Sequence, residues 1–434
     1  MQTKSGFEAL EAHLRDRALA CTRPPVDRFQ HAWFSPVPMS ARVAEVLESR
    51  RHPGVAPAPQ AGDGFTGGDY GLGLFHHDAS EAAIELLRHP TLRDAMAGSL
   101  LCLLDCADAN GCIHRTELPF KTRDREPARP VMAQYALRVA QVLGADWLAE
   151  HRVVPRIRAF VEHLEQHWMG AHGLLRTVSP RASGFDSDIL SASAPDGTVE
   201  GPDGNAFLVL EYEALAELCA LVGEDGTRWT EKSYQLRNLM NALMWVEDDR
   251  GGFYVALRWR HGSGTLESDV VSLPGRDGRH TPLESWISLV PLYAGIPDDK
   301  RAARLIARLL REDGYWGPWG VRTLPRDSLF FQQAPRVLLH DERRGQSGPV
   351  SNWNGPVWVL PNYYLFEGLR RYGHGPEARL LALRTAQLLS QDLANTGVLH
   401  ECYNDAGVGL WPHTGTFISW NVLALTMLRA LAPV

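Results

Sequence analysis

The connections between the helical stretches of this chain alternate long and short, and few folds accept that pattern. Apolar residues recur at 3.6-residue spacing over about twelve segments: 5–21, 79–89, 91–109, 129–144, 146–169, 205–223, 227–245, 282–294, 298–312, 355–373, 376–394 and 415–432. A further candidate, 40–51, lies inside the first long link. Links after the even-numbered segments are a few residues with a Gly or Pro, such as His89-Pro90, Gly144-Ala145 and Gly373-His374-Gly375. Links after the odd-numbered ones run over 22–78, 110–128, 170–204, 246–281, 313–354 and 395–414, and links of that length are uncommon unless functional. Segment 205–223 shows the helical pattern well: Phe207, Leu208, Leu210, Leu215, Leu218 and Leu221 form a stripe that Gly223 stops.

Antiparallel hairpins strung this way place every long loop at one end of a ring. The expectation is an all-α fold, an (α/α)6 barrel of six hairpins in a single domain over residues 1–434. The rival, an open solenoid of helix pairs, calls for a regular repeat and capping ends that the chain does not display. Short β-hairpins are expected to decorate the long loops, for example around 251–257. A crowded loop end on a plain helical body is where an enzyme site is usually built.

Composition narrows the function. Apolar residues make up 44 % and charged residues 22 % of 434, a globular balance. A formal net charge of −7 provides no general basic field for a nucleic acid backbone, and the local pair Arg343-Arg344 reads as solvated loop charge. No run approaches the ~18 apolar residues of a membrane span, and the N-terminus has no apolar leader core. The six cysteines form no CxxC pair. Cys102 and Cys106 fall on an apolar helical face, and with Cys112 they read as small core fillers rather than zinc ligands. Free thiols and the absence of a leader point to the cytoplasm. His163 and His167, four apart on one helix, have no third ligand and read as surface residues. No Gly-rich phosphate loop precedes a helix, so nucleotide chemistry has no foothold and no cofactor is expected. The oligomeric state is not legible.

Two long loops carry carboxylates that invite chemistry. One holds Ser183-Gly184-Phe185-Asp186-Ser187-Asp188, the other His400-Glu401-Cys402-Tyr403-Asn404-Asp405. Glycoside cleavage needs two carboxylates on opposite sides of the bond, one to protonate the leaving oxygen and one to activate water or attack carbon. Spacing alone does not select this pair from 51 acidic residues, and an Asp after Gly-Phe serves equally as a turn or cap residue. Tyr315, Trp316 and Trp319 are dense enough to form a pocket wall or simple loop packing. Arg258 and Arg260 flank Trp259 and suit either a bound carboxylate or loop charge.

A resemblance separates these readings. Ser183-Gly184-Phe185-Asp186 resembles the Ser-Gly-(aromatic or aliphatic)-Asp motif of glycoside hydrolase family 63 and its trehalase relatives. Asn354-Gly355-Pro356-Val357-Trp358 with Asn362-Tyr363 resembles their Arg-Gly-Pro-x-Trp segment. Glu401-Cys402-Tyr403-Asn404, followed by Trp420, resembles their Glu-x-Tyr-Asp/Asn element, and Leu74-Phe75-His76-His77-Asp78 their Leu-Phe-x-Trp-Asp element. The four blocks keep the family order across 74–420, and the compact length is most similar to the mannosylglycerate and glucosylglycerate hydrolase branch. The resemblance implies an (α/α)6 barrel without metal that inverts the anomeric centre of a small α-glucoside or α-mannoside, such as glucosylglycerate, mannosylglycerate or trehalose. It implies Asp186 as general acid, Glu401 as general base, Asp78 as a holder of sugar hydroxyls, and Trp353, Trp358 and Trp420 as pocket walls. Asp188 competes with Asp186 for the acid role. Two residues depart from the pattern at sugar-contacting positions: His77 stands where Trp is expected, and Asn354 where Arg is expected. Two other functions remain open: a sugar epimerase on the same ring using His400 and His413, and a non-catalytic sugar-binding protein.

Overall fold

The computed structural model describes residues 4–51, 71–122, 126–177, 179, 181–192, 199–261, 266–274, 280–341, 346–410 and 416–431. In chain order the helices are α1 (Lys4–Ala20), α2 (Ala41–Arg51), α3 (His76–Leu86), α4 (Pro90–Asp105), α5 (Met132–Leu143), α6 (Ala145–Glu150), α7 (Val153–His167), α8 (Ile189–Ala192), α9 (Pro202–Leu221) and α10 (Thr227–Leu243). The 3-10 helix η1 (Trp286–Leu292) follows, then α11 (Asp299–Leu309), α12 (Val359–Arg371), α13 (Gly375–Thr396), a 3-10 turn η2 (Ser419–Val422) and α14 (Leu423–Arg429).

These helices close a ring. On the inside α3 packs on α5, α5 on α9, α9 on η1, η1 on α12, α12 on α14, and η2–α14 back on α3. Outside them lie α4, the α6–α7 pair, α10, α11 and α13, and α1 fills the remaining outer place between α13 and α4. The inner helices follow the long links and the outer helices follow the short ones, so the alternation in the sequence is the alternation of hairpin ends. This is the expected (α/α)6 toroid. No helix among the described residues is long and apolar enough to cross a membrane.

Several boundaries differ from expectation for local reasons. The segment 282–294 holds a shorter 3-10 helix, Trp286–Leu292, with Pro291 inside it; a Ser285/Ser288 capping box fixes its start. The segment 146–169 splits into α6 and α7 at Arg152, whose φ of 50° breaks the run. The last segment is shortened to η2–α14. The first inner helix starts at His76, not 79, which puts His77 and Asp78 in its first turn. In α9 Phe207, Leu208, Leu215 and Leu218 are fully buried, while Leu221 is 46 % exposed at the helix end. Val209 is buried as well, so the helix is apolar nearly all round, as a ring-lining helix must be.

The long links carry short antiparallel strands. Trp245–Asp248 pairs with Gly251–Tyr254, the expected hairpin, and Arg336–Asp341 pairs with Gln346–Ser351. Leu74–Phe75 pairs with Thr116–Leu118, Leu74 opposite Glu117, tying the first long link to the second. All six cysteines are free and buried, as core fillers would be. Asp108, Cys112 and His114 come close together, but Asp108 accepts the N–H groups of Asn110 and Cys112, and His114 Nδ1 bonds Glu117 at 2.8 Å. Burial pushes the Cys112 thiol up to about 12. His163 lies on the surface of α7, 4.6 Å ring to ring from His167. Arg343-Arg344, Trp411 and His413 lie outside the described residues, as do the side chains of Trp259 and Arg260.

Candidate active site

A cavity of about 90 Å³ opens at the loop end, lined by residues from Phe75 in one wall to Trp420 in the other. Asp78, Asp186 and Glu401 all line it, with Trp353 and Trp420. Three carboxylates from chain positions far apart therefore face one hollow.

Asp186 arrives on a tight turn. Gly184 has φ of 78°, a conformation that a Cβ disfavours, and the Ser183 hydroxyl accepts the Phe185 N–H at 3.0 Å. Phe185 is fully buried, 4.5 Å from Trp286 and 4.8 Å from Trp353 ring to ring, and this anchor turns the next residue toward the cavity. Ser351, at the end of its hairpin, donates to Asp186 Oδ2 at 3.4 Å. Loss of hydration pushes the Asp186 carboxyl above the ordinary range, and the Glu401 charge adds to this, against the opposing pull of Arg115 and Arg181.

Glu401 sits in a braced segment. Tyr403 exchanges both main-chain hydrogen bonds with Val357, at 2.8 and 2.9 Å. The His400 carbonyl accepts from Asn421 at 3.0 Å. Asp78 accepts the Ser419 hydroxyl at 2.6 Å from the start of η2, so the first and last inner helices meet at this carboxylate.

Asp188 has a different environment. Its Oδ1 accepts the N–H of Leu190 at 3.0 Å and of Ser191 at 3.5 Å, capping α8, and it does not line the cavity. Its carboxyl is pushed up to about 7, first by loss of hydration.

The aromatic residues divide. Trp353 lines the cavity and stacks on Trp358 at 3.8 Å and 13°, and Trp358, fully buried, donates Nε1–H to the Asn352 carbonyl at 3.0 Å. Trp358 thus stands behind Trp353. Asn354 is not in the lining either: its amide donates to the Ser187 carbonyl at 2.8 Å and so clamps the turn that carries Asp186. Trp316 is buried elsewhere, with the Arg384 guanidinium 5.5 Å from its ring centre.

Phe75, His76, Arg115, Gly184 and Ser351 also line the cavity. Arg115 comes from a link without a recognisable motif. It is carried in by the pairing of Leu74–Phe75 with Thr116–Leu118. His76 is committed to the main chain: Nδ1 lies 2.8 Å from the Arg115 carbonyl and Nε2 accepts the Arg129 N–H at 2.9 Å. His400 Nδ1 bonds Asp392 at 2.8 Å and does not line the cavity. An epimerase reading that needs His400 at the substrate finds no support in that geometry.

A closed toroid of helical hairpins with a carboxylate-lined pocket at its loop end defines the class, and the comparisons with known proteins agree with it. Residues 114–417 match the mannosylglycerate hydrolase MGH1-like glycoside hydrolase domain, and the chain belongs to that family. It is 28 % identical over 221 residues to the mannosylglycerate hydrolase of Rubrobacter radiotolerans, a match over 51 % of this chain and 41 % of that protein. The chain thus spans less than half the length of that curated relative. The crystal structure of GH63 mannosylglycerate hydrolase from Thermus thermophilus, solved in complex with glucose, matches with a TM-score of 0.62 at 20 % identity over 91 % of this chain and 100 % of that one. Neutral trehalase Nth1 from Saccharomyces cerevisiae matches with a TM-score of 0.58 at 15 % identity over 83 % of this chain and 72 % of that one. Both likenesses concern the fold.

Proposed function

We propose that the protein is an inverting α-glycoside hydrolase acting on a small α-glucoside or α-mannoside such as glucosylglycerate, mannosylglycerate or trehalose. One observation carries this reading: Asp186 and Glu401, from two separate long loops, line one cavity, and the charge of Glu401 helps hold the proton on Asp186. A half-buried carboxyl with a raised pKa is suited to give a proton, and a second carboxylate in the same pocket is suited to take one.

In the proposed reaction Asp186 gives its proton to the glycosidic oxygen as the bond to the anomeric carbon breaks. Glu401 takes a proton from a water that attacks that carbon from the opposite face, which inverts it. The separation needed for that water is about 6.5–9.5 Å between carboxyl groups. Asp78, held by Ser419, accepts hydrogen bonds from the sugar, and Trp353 and Trp420 pack against its faces. Trp358 supports Trp353 from behind, and Asn354 fixes the turn below Asp186. Trp316, under Arg384, is given a packing role. Arg115 in the lining suits an aglycone with a carboxylate, in keeping with the names of the relatives. The catalytic domain is taken to cover 1–434, and six free thiols fit the cytoplasm.

The test is a panel of α-glycosides followed by NMR, which reports both released sugar and the anomer first formed. Hydrolysis giving the inverted anomer, abolished in Asp186→Ala and in Glu401→Ala, is the expected result. Release of the retained anomer, or undiminished turnover in either variant, overturns the mechanism. Interconversion of sugars without hydrolysis would favour an epimerase instead.

A further inference from the structure

The link between α4 and α5 gathers three side chains that the catalytic pocket does not use. Asp108, Cys112 and His114 each turn one ligand-type atom into a common space, and these atoms lie within 4.8 Å of one another. The turn that carries them is held from several sides. The Asp108 N–H donates to the Cys112 carbonyl at 3.0 Å, and the Ile113 carbonyl accepts the Ala128 N–H at 2.8 Å. Gly111, with φ of 82°, sits so close to α7 that an added Cβ would stand 2.9 Å from the Ala159 carbonyl oxygen. The hydrogen bonds to Asn110 and Cys112 use Asp108 Oδ1 and leave Oδ2 facing His114 Nε2 at 4.0 Å. The Cys112 thiol makes one long contact, 3.7 Å to the Ile113 carbonyl.

His114 is the informative member. Its ring is 7 % exposed, and Nδ1 lies 2.8 Å from Glu117 Oε1. Glu117 is fully buried and paired through its other oxygen with Arg28 at 2.9 Å. A carboxylate only accepts, so Nδ1 carries the proton and Nε2 presents a lone pair. Among the described residues Nε2 has no hydrogen-bond partner, since Asp108 Oδ2 at 4.0 Å is beyond reach. An imidazole backed by a carboxylate on one nitrogen, and facing a thiol and a second carboxylate with the other, is built as metal-ligating histidines are. Thiolate, imidazole and one carboxylate together suit Zn²⁺, whereas Mg²⁺ and Ca²⁺ take oxygen ligands. Tetrahedral zinc bonds set ligand atoms roughly 3.3–3.6 Å apart, so the three need to draw in by about an ångström. Asp108, the exposed member, has the freedom to do so and marks the side from which an ion arrives.

We propose that Asp108, Cys112 and His114 form a zinc site, with water in the fourth place and Glu117 as the positioning residue behind His114. Binding replaces the Cys112 S–H bond with an S–Zn bond and releases the proton to solvent. Spacing along the chain groups Cys112 with Cys102 and Cys106, whereas the fold gives it Asp108 and His114. The site lies next to the strand Thr116–Leu118, and Arg115 between them lines the catalytic cavity. The ion therefore braces the link that delivers Arg115. It takes no part in breaking a glycosidic bond, and the inference does not depend on the glycosidase reading.

The experiment takes the full chain, stripped with a chelator under reducing conditions, and adds Zn²⁺, Co²⁺, Ca²⁺ or Mg²⁺. Zn²⁺ should bind at one equivalent per chain and, at about a hundredfold excess over its Kd, raise the thermal midpoint by about 2–5 °C. Ca²⁺ and Mg²⁺ should leave the midpoint in place. Co²⁺ should give a thiolate-to-metal charge-transfer band that Cys112→Ser loses and Cys102→Ser keeps. His114→Ala should abolish Zn²⁺ binding at that stoichiometry. Asp108→Asn, which still accepts the Asn110 and Cys112 N–H groups, should weaken it, and Glu117→Gln should weaken it by about 10–100-fold. Hydrogen exchange should slow on Zn²⁺ addition at the amides of 110–118. A wild type that binds no Zn²⁺ overturns the proposal, as does undiminished affinity in Cys112→Ser or His114→Ala. So does a midpoint shift with Ca²⁺ equal to that with Zn²⁺, or protection confined to another part of the chain. Should Cys112→Ser fail to fold, Asp108→Asn, altered at an exposed side chain, carries the same comparison.

Discussion

Asp186 and Asp188 stand two residues apart on one turn, Asp186 half-buried and Asp188 fully buried, both pushed toward the protonated form, yet they face different surroundings. Asp186 lines the cavity together with Glu401. Asp188 lies outside that lining and accepts the first N–H groups of α8. The difference teaches that a perturbed carboxyl is not in itself a catalytic one. What the carboxyl faces decides its role. An acidic partner in the same hollow suits Asp186 to the proposed acid role, and a helix start makes Asp188 a cap.

The contrast can be broken by mutation. The largest effect should come from Asp186→Asn, with turnover falling by about 10²–10⁴ while the thermal midpoint stays within a few degrees; Asp188→Asn should leave turnover far closer to wild type. Comparable losses of rate in both would erase the distinction. The alkaline limb of the wild-type rate profile should reflect deprotonation of Asp186, whose carboxyl is raised, and should vanish in Asp186→Asn.

Stability against pH should carry a share from Asp188, beside those of Asp186 and the other raised carboxyls such as Glu211. A carboxyl raised in the folded state binds more protons there than in the unfolded chain, so stability falls as pH rises from about 4 toward 7 and then levels off. The upper bound of that fall is about 4 kcal/mol. Asp188→Asn keeps the cap and loses the charge, so denaturant unfolding between pH 4 and 7 should show a flatter profile than wild type. An unchanged slope would leave the fall to the other raised carboxyls and remove Asp188 from it.

Smaller effects sharpen the same boundary between facing the pocket and supporting it. Ser419→Ala removes the donor to Asp78, a hydrogen bond to a carboxylate worth about 1.5–3 kcal/mol, and should raise KM roughly tenfold or more while the ring stays folded. Asn354→Ala releases the Ser187 carbonyl and should cost about 1 kcal/mol, felt in kcat as Asp186 loosens and less in KM. If KM rather than kcat responds to Asn354, this residue touches the sugar after all.

The ring is legible in the sequence because its signal is local. Each hairpin writes its own apolar period and its own Gly or Pro stop, as at His89-Pro90 and Gly144, and the sum of six fixes the alternation. The carboxylates are legible only through the order of four short blocks. Arg115 and Ser351 escape, since they reach the cavity through cross-link pairing and a hairpin end that no spacing along the chain announces. The motif around Asn354 suggests a sugar contact. Its clamp on Ser187 depends instead on a contact between loops about 170 residues apart, which only tertiary packing decides. The spacing over η1 suggests an ordinary helix, and an apolar run this short does not tell a 3-10 turn from an α turn.

The seating of α1 between α13 and α4 has a kinetic side. That contact joins segments separated by most of the polypeptide, and such contacts form late because long segments must be ordered before they are rewarded. The cavity draws its walls from positions 75 to 420. Refolding followed by two probes should therefore split: helical ellipticity returns early, while sugar affinity waits for the circle to shut and then appears at once.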